Sequence, residues 1–188
     1  GLAVRLMVAE GDRVVTSAGG YPTFDFHVTG FGGTLDRVPY AADRQDPAAL
    51  VARAAETGAR MVYLCNPDNP MGGWHPPEVI EAAVAALPDD ILLILDEAYA
   101  EFAPALPRID PEDPRVLRMR TFSKAYGLAG LRIGFAISAP EISDDLRRVA
   151  TPFTVTTLAQ QAAIASLAAE DELNERVNRI VEIGRAHV

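Results

Sequence analysis

Arg120-Thr-Phe-Ser-Lys-Ala-Tyr-Gly-Leu-Ala-Gly-Leu-Arg132, written RTFSKAYGLAGLR, is the stretch from which the rest of the chain can be read. Lys124 stands between a hydroxyl-rich turn, Thr121 and Ser123, and a downstream Gly127, Gly130 and Arg132. An amine nucleophile thus lies among groups suited to holding a phosphate. The amine can form a Schiff base with an aldehyde, while hydroxyls and a guanidinium bind the phosphate that anchors it. The flanking segments, Arg115 to Arg120 and Arg132 to Ser138 (RIGFAIS), read as strands, and the small residues before the second let backbones approach closely.

Upstream, strands and helices alternate. Asp90 to Asp96 (DILLILD) is the most strand-like run of the chain and ends in a carboxylate. Before it, Arg60 to Cys65 (RMVYLC) reads as a buried strand, because its apolar run is short and bounded by a turn cluster rather than periodic. That cluster, NPDNPMGG, has two prolines and two glycines over Asn66 to Gly73, which forbid regular structure and set a loop at the strand's carboxyl end. Asp46 followed by Pro47 predicts a helix running to about Gly58, with the aspartate as N-cap. Thr34 to Val38 and Arg13 to Ser17 read as further strands. Between them, Phe24, Val28 and Phe31 take helical spacing, and a helix is also predicted from Pro76 to about Leu87. The residues before Glu10-Gly11-Asp12 read as the last turns of a helix.

Downstream, Pro140 to Arg148 and the segment from Thr156 read as helical, while Ala103 to Pro114 reads as a surface loop. The pattern predicts an α/β fold with a mostly parallel sheet in the middle of three layers, helices covering both faces. In open sheets of this kind ligands sit beyond the carboxyl ends of the strands, where Lys124, Asp96 and the NPDNPMGG loop all fall.

The 188 residues suit one α/β domain, with 49% hydrophobic and 23% charged residues. A formal net charge of -9 argues against a nucleic-acid partner. The single cysteine, Cys65, rules out an intrachain disulfide and points to a reducing, cytoplasmic setting. His27, His75 and His187 form no ligand-like cluster, so no metal is expected, and no apolar run is long enough for a membrane span.

CNPDNPMG at Cys65 to Gly72, LDEAYAEF at Leu95 to Phe102 and RTFSKAYGLAGLRIGF at Arg120 to Phe135, in that order and spacing, resemble the fold-type I pyridoxal phosphate aminotransferases of class I/II. The wording is closest to the histidinol-phosphate aminotransferase branch. One departure is Met71, where the family usually has threonine. The resemblance implies pyridoxal 5'-phosphate as cofactor, with Lys124 carrying it and moving the proton. It implies Asp96 on the ring nitrogen, Asn69 and Tyr99 on the phenolic oxygen, and Tyr21 stacked on the ring. Thr121, Ser123 and Arg132 are implied on the phosphate. Asn66 reads as a turn former.

The implied reaction is transamination between a small-molecule amino donor and a 2-oxo acid, histidinol phosphate and 2-oxoglutarate first, as in histidine biosynthesis. Aromatic amino acid aminotransferases share the three motifs and stand second; threonine-phosphate decarboxylases use the same scaffold and stand third. A homodimer with the site at the interface is implied for a full-length protein.

Two features of the ends bear on the domain. The chain opens on Gly1 inside an element, and Ile183-Gly-Arg-Ala-His-Val188 matches a common sequencing adapter translated in one frame. Residues 1–182 are therefore expected to be an incomplete cofactor-binding large domain, and 183–188 a non-native tail. By resemblance, a missing amino-terminal part holds a glycine-containing phosphate loop and a tyrosine for the neighbouring subunit, and a missing carboxyl-terminal domain holds the arginine for the substrate carboxylate. The chain alone is expected to have negligible transaminase activity.

Overall fold

The computed structural model describes residues 1–185. Six strands form one sheet in the order β2-β1-β3-β4-β5-β6: β1 (Arg13–Ser17), β2 (Thr34–Val38), β3 (Met61–Cys65), β4 (Leu92–Asp96), β5 (Val116–Thr121) and β6 (Gly134–Ile137). All neighbours are parallel except β5 and β6. The helices are α1 (Leu2–Met7), α2 (Thr23–Gly30), α3 (Pro47–Thr57), α4 (Pro77–Ala85), α5 (Pro140–Val149), α6 (Thr157–Ala168) and α7 (Glu170–Arg185).

The apolar strands separate their side chains by parity. Val15, Val62, Leu64, Leu93 and Leu95 face Leu50, Val51 and Ala54 of α3 and Ile80, Ala83 and Val84 of α4. Val14, Met61, Tyr63, Leu92, Ile94 and Leu117 face Ala3 and Val4 of α1 and Phe24 and Val28 of α2, with Ile142 and Leu146 of α5 packed alongside. Successive strand residues point to opposite faces, so a continuous apolar run supplies two cores at once. Each fully buried Leu or Ile contributes about 1.5–3 kcal/mol of apolar burial. The expected three layers are therefore present, with the sheet between two sets of helices.

Local signals set the helix ends. Asp46 caps α3 by accepting from the Ala49 amide at 3.0 Å, Pro47 opens it, and Gly58 closes it in the left-handed region at φ 63°. Thr156 caps α6 by the same contact with the Ala159 amide. The run from Thr156 divides into two helices around Ala169. α7 continues through Ile183 to Arg185, and the rest of the suspected tail, 186–188, lies outside the described residues.

The strand expected from Arg132 starts at Gly134 and runs antiparallel to β5. Residues 122–133 contain only a short 3-10 turn, Ala129–Leu131, and no α-helical crossover of the kind a parallel return requires. Gly134 sits where a Cβ would lie 2.7 Å from the Arg120 carbonyl oxygen, so the two backbones meet without a side chain between them. No helix among the described residues is long and apolar enough to cross a membrane.

Candidate active site

The carboxyl ends of β1, β3, β4 and β5 open onto one cavity of about 460 Å³. Its lining includes all eight residues singled out from the sequence: Tyr21, Asn69, Asp96, Tyr99, Thr121, Ser123, Lys124 and Arg132. Residues up to 111 positions apart, from Tyr21 to Arg132, thus meet because parallel strands bring their ends to one edge.

Asp96 closes β4 at the floor of the cavity. Its Oδ2 accepts from the Tyr63 hydroxyl at 2.7 Å and its Oδ1 from the Ala98 amide at 3.0 Å. Both donors are neutral, and burial raises the carboxyl above its ordinary value, against the opposing effects of the Tyr63 and Ala98 contacts. A carboxylate in such a place is suited to a cationic partner. Tyr63 is itself stacked on Phe24, ring centroids 4.2 Å apart and planes 17° apart.

A pH dependence follows, with its sign set by that shift. Between the ordinary 3.8 and the raised folded value, the folded chain holds more protons at Asp96 than the unfolded chain, so stability falls as pH rises through this window. The stability of Asp96→Asn relative to the unsubstituted chain should therefore increase as pH rises from about 4, read from urea midpoints without added cofactor. A relative stability that stays level or decreases would contradict the assigned environment.

The other expected residues also lie on the lining. Asn69 Nδ2 donates to the Tyr99 hydroxyl at 3.4 Å, so these two expected partners of one oxygen already lie side by side. Lys124 Nζ stands over the Tyr99 ring, 5.1 Å from its centroid. Thr121 Oγ1 accepts from the Ser123 amide at 3.1 Å and shapes the turn before the lysine. Arg132 takes a left-handed conformation at φ 53° and donates to the Ala129 carbonyl at 2.9 Å. Tyr21 lines the cavity and is 55% exposed.

Other residues support the site without having been assigned a role from the sequence. Glu97, 1% exposed, receives Arg118 through two contacts of 3.0 and 2.8 Å and Arg120 at 2.7 Å. This ties β5 to the residue next to Asp96. The Asn66 side chain accepts from the His75 amide and donates to its carbonyl, holding the NPDNPMGG loop closed, as expected of a turn former. Asp68 accepts from Tyr40 and Gln45, and backbone bonds Asp68 to Gly73 and Gly72 to Asp68 complete the loop. The side chain of Met71 is exposed and takes no part in those bonds. Arg176 of α7 donates to the Ala125 carbonyl, beside the lysine. Lys124 is also the only lysine among the 188 residues, beside sixteen arginines, a compositional signal of its own.

The family described as aminotransferase class I and II matches residues 1–185. The chain belongs to that family. Among curated relatives, an aromatic amino acid aminotransferase of Cutibacterium acnes is 50% identical over 181 residues, 93% of this chain and 51% of the relative. One of Streptomyces avermitilis is 40% identical over 189 residues, covering 96% and 53%. A crystal structure of histidinol-phosphate aminotransferase from Sinorhizobium meliloti, in complex with pyridoxal-5'-phosphate, aligns with a TM-score of 0.93 and 50% identity, covering 96% of this chain and 50% of that one. This class I and II chain spans about half the length of the relatives it matches.

Proposed function

We propose that the cavity is the pyridoxal phosphate site of an aminotransferase passing an amino group between an amino donor and a 2-oxo acid, and that residues 1–182 belong to its cofactor-binding large domain. One observation carries this reading: a single lysine, a part-buried carboxylate served by neutral donors, and a hydroxyl-and-guanidinium group converge in one cavity. The donor set fits the cofactor. Its volume is within the usual range of about 300–1,000 Å³ for small-molecule sites.

Bound there, the cofactor supplies an aldehyde for the amino group and a protonated ring that draws electrons from the substrate's alpha carbon. Asp96 holds the ring nitrogen's proton, since a carboxylate in a buried place favours a cation opposite it. Asn69 and Tyr99 donate to the phenolic oxygen, and Tyr21 covers a ring face. Arg132, Thr121 and Ser123 hold the phosphate; Arg132 has five N–H donors and gives Ala129 only one contact. Lys124, the one side-chain amine on the lining, would carry the cofactor and serve as base and acid for the proton of the substrate's alpha carbon.

Two substrate readings have support. The likeness to the Sinorhizobium meliloti structure favours histidinol phosphate with 2-oxoglutarate; the names of the curated relatives favour aromatic amino acids. They separate on charge. Histidinol phosphate brings a phosphate of its own, while the cavity's lysine and arginine side chains are already engaged: Arg120 by Glu97 and Glu101, and Lys124 and Arg132 by the proposed cofactor. Residues beyond this chain, in the homodimer proposed for the full-length protein, would have to receive a second phosphate. The test is kcat/KM of a full-length protein for histidinol phosphate against phenylalanine and tyrosine. A preference of tenfold or more decides between them, at about 1.4 kcal/mol per factor of ten. No transfer from any of the three would overturn both. The chain by itself is expected to transaminate negligibly, and an ordinary enzymatic rate from it would refute that.

A further inference from the structure

We infer that Tyr63 is a positioning residue of this site: its hydroxyl, held in place by the Phe24 ring, fixes the Asp96 carboxylate for the cofactor's ring nitrogen and, by donating to it, favours its charged form. The inference rests on the cofactor reading of the cavity.

Tyr63 stands in the middle of β3, in register with Ile94 on β4, and its side chain reaches along the sheet to the carboxylate that ends β4. The phenol has little freedom. Its ring is buried, stacked on Phe24 and packed among Val14, Met61 and Ile94 on the face that α1 and α2 cover. A hydroxyl so constrained donates to Asp96 Oδ2 in one direction, while the Ala98 amide fixes Oδ1. The plane of the carboxylate is thereby set by two donors, and each oxygen keeps a lone pair for a further contact.

The same hydrogen bond has an electrostatic consequence. Burial alone disfavours the charged carboxylate, and a hydrogen bond donated to it favours the charged form. The other groups facing Asp96 are Glu97 beside it, which disfavours its charge, Lys124, which favours it, and Cys65, its register partner on β3. Cys65 and Tyr63 are themselves raised by burial and stay neutral at ordinary pH. Tyr63 is therefore a neutral donor that lowers the carboxylate's proton affinity without placing a second cation against the ring nitrogen. Phe24 links this arrangement to α2, just after Tyr21, so the floor and one wall of the cavity share a packing unit.

The test reads the Asp96 carboxyl directly, by carbon-13 NMR of the chain without cofactor, with its resonance assigned by its loss in Asp96→Asn. Tyr63→Phe keeps the ring and the Phe24 stack, and should raise the midpoint by about one pH unit, a tenfold change in proton affinity. Placing 3-fluorotyrosine at position 63, a more acidic donor of nearly the same shape, should lower the midpoint, and it decides the matter if the phenylalanine variant does not fold. A midpoint unmoved by either change, or moved in the opposite sense, would overturn the inference. Borohydride trapping of pyridoxal phosphate on Lys124 separates the two levels. Trapping without the NMR shifts removes Tyr63's role alone, whereas shifts without trapping remove the cofactor role assigned to the pair.

Discussion

Replacing Lys124 with alanine in a full-length protein is expected to lower transamination by about 10⁴-fold while leaving the fold intact. The size follows from the number of tasks on one amine. Lys124 would hold the cofactor covalently and serve as both base and acid in the proton transfer, so its loss removes every proton-moving step together. Because it is the only lysine of the chain, no other side-chain amine here can replace it. The fold should survive because the side chain is exposed at the cavity and makes no ion pair among the described residues; its contact is with the Tyr99 ring. Steady-state kinetics with a thermal melt separate the two effects. A variant that keeps a tenth of the activity, or that melts far below the parent, would contradict the assignment.

The largest expected effect on stability lies beneath the site. Glu97→Ala should destabilise the chain by about 3–5 kcal/mol, as expected when one partner of a buried ion pair is removed. That is a large part of the roughly 5–15 kcal/mol that holds a typical domain together. The two arginines would not be affected equally. Arg120 also approaches Glu101 at 3.6 Å, while Glu97 is the only acidic partner of Arg118 among the described residues. Arg118 would then remain in a part-buried position with its charge uncompensated. Glu97→Gln keeps an acceptor and the shape, and should cost less than the alanine. Urea unfolding of the three chains checks the order; equal midpoints for the alanine variant and the parent would show that this network does not hold β4 to β5.

Much of this structure was legible in the sequence because its signals are local. The strands at Arg13 to Ser17 and Thr34 to Val38 fell as predicted, and Asp46-Pro47 with Gly58 marked both ends of α3. The eight residues that line the cavity were named from the resemblance that three motifs carry; Asp96 and Thr121 end β4 and β5 and the other six lie in loops, where side chains are not needed for the core. What escaped depends on pairing between distant elements. The antiparallel return of β6 is set by the loop geometry after Lys124, which periodicity does not encode. Glu97, Arg118 and Arg120 have no assigned role in the sequence, and only the register of β4 and β5 brings them together. Tyr63 read as one more apolar residue of a buried strand, although its hydroxyl reaches the carboxylate two positions beyond its register partner.

The site reading is tested most directly by reducing the chain with borohydride in the presence of pyridoxal phosphate and mapping the modified peptide. Two kinds of amine are available, Lys124 and the terminal amine of Gly1, both on the cavity lining. A saturable pyridoxyl adduct on Lys124, weakened in Asp96→Asn, is the expected result. An adduct confined to the Gly1 amine, or labelling of Lys124 that neither saturates nor responds to Asp96→Asn, would contradict it.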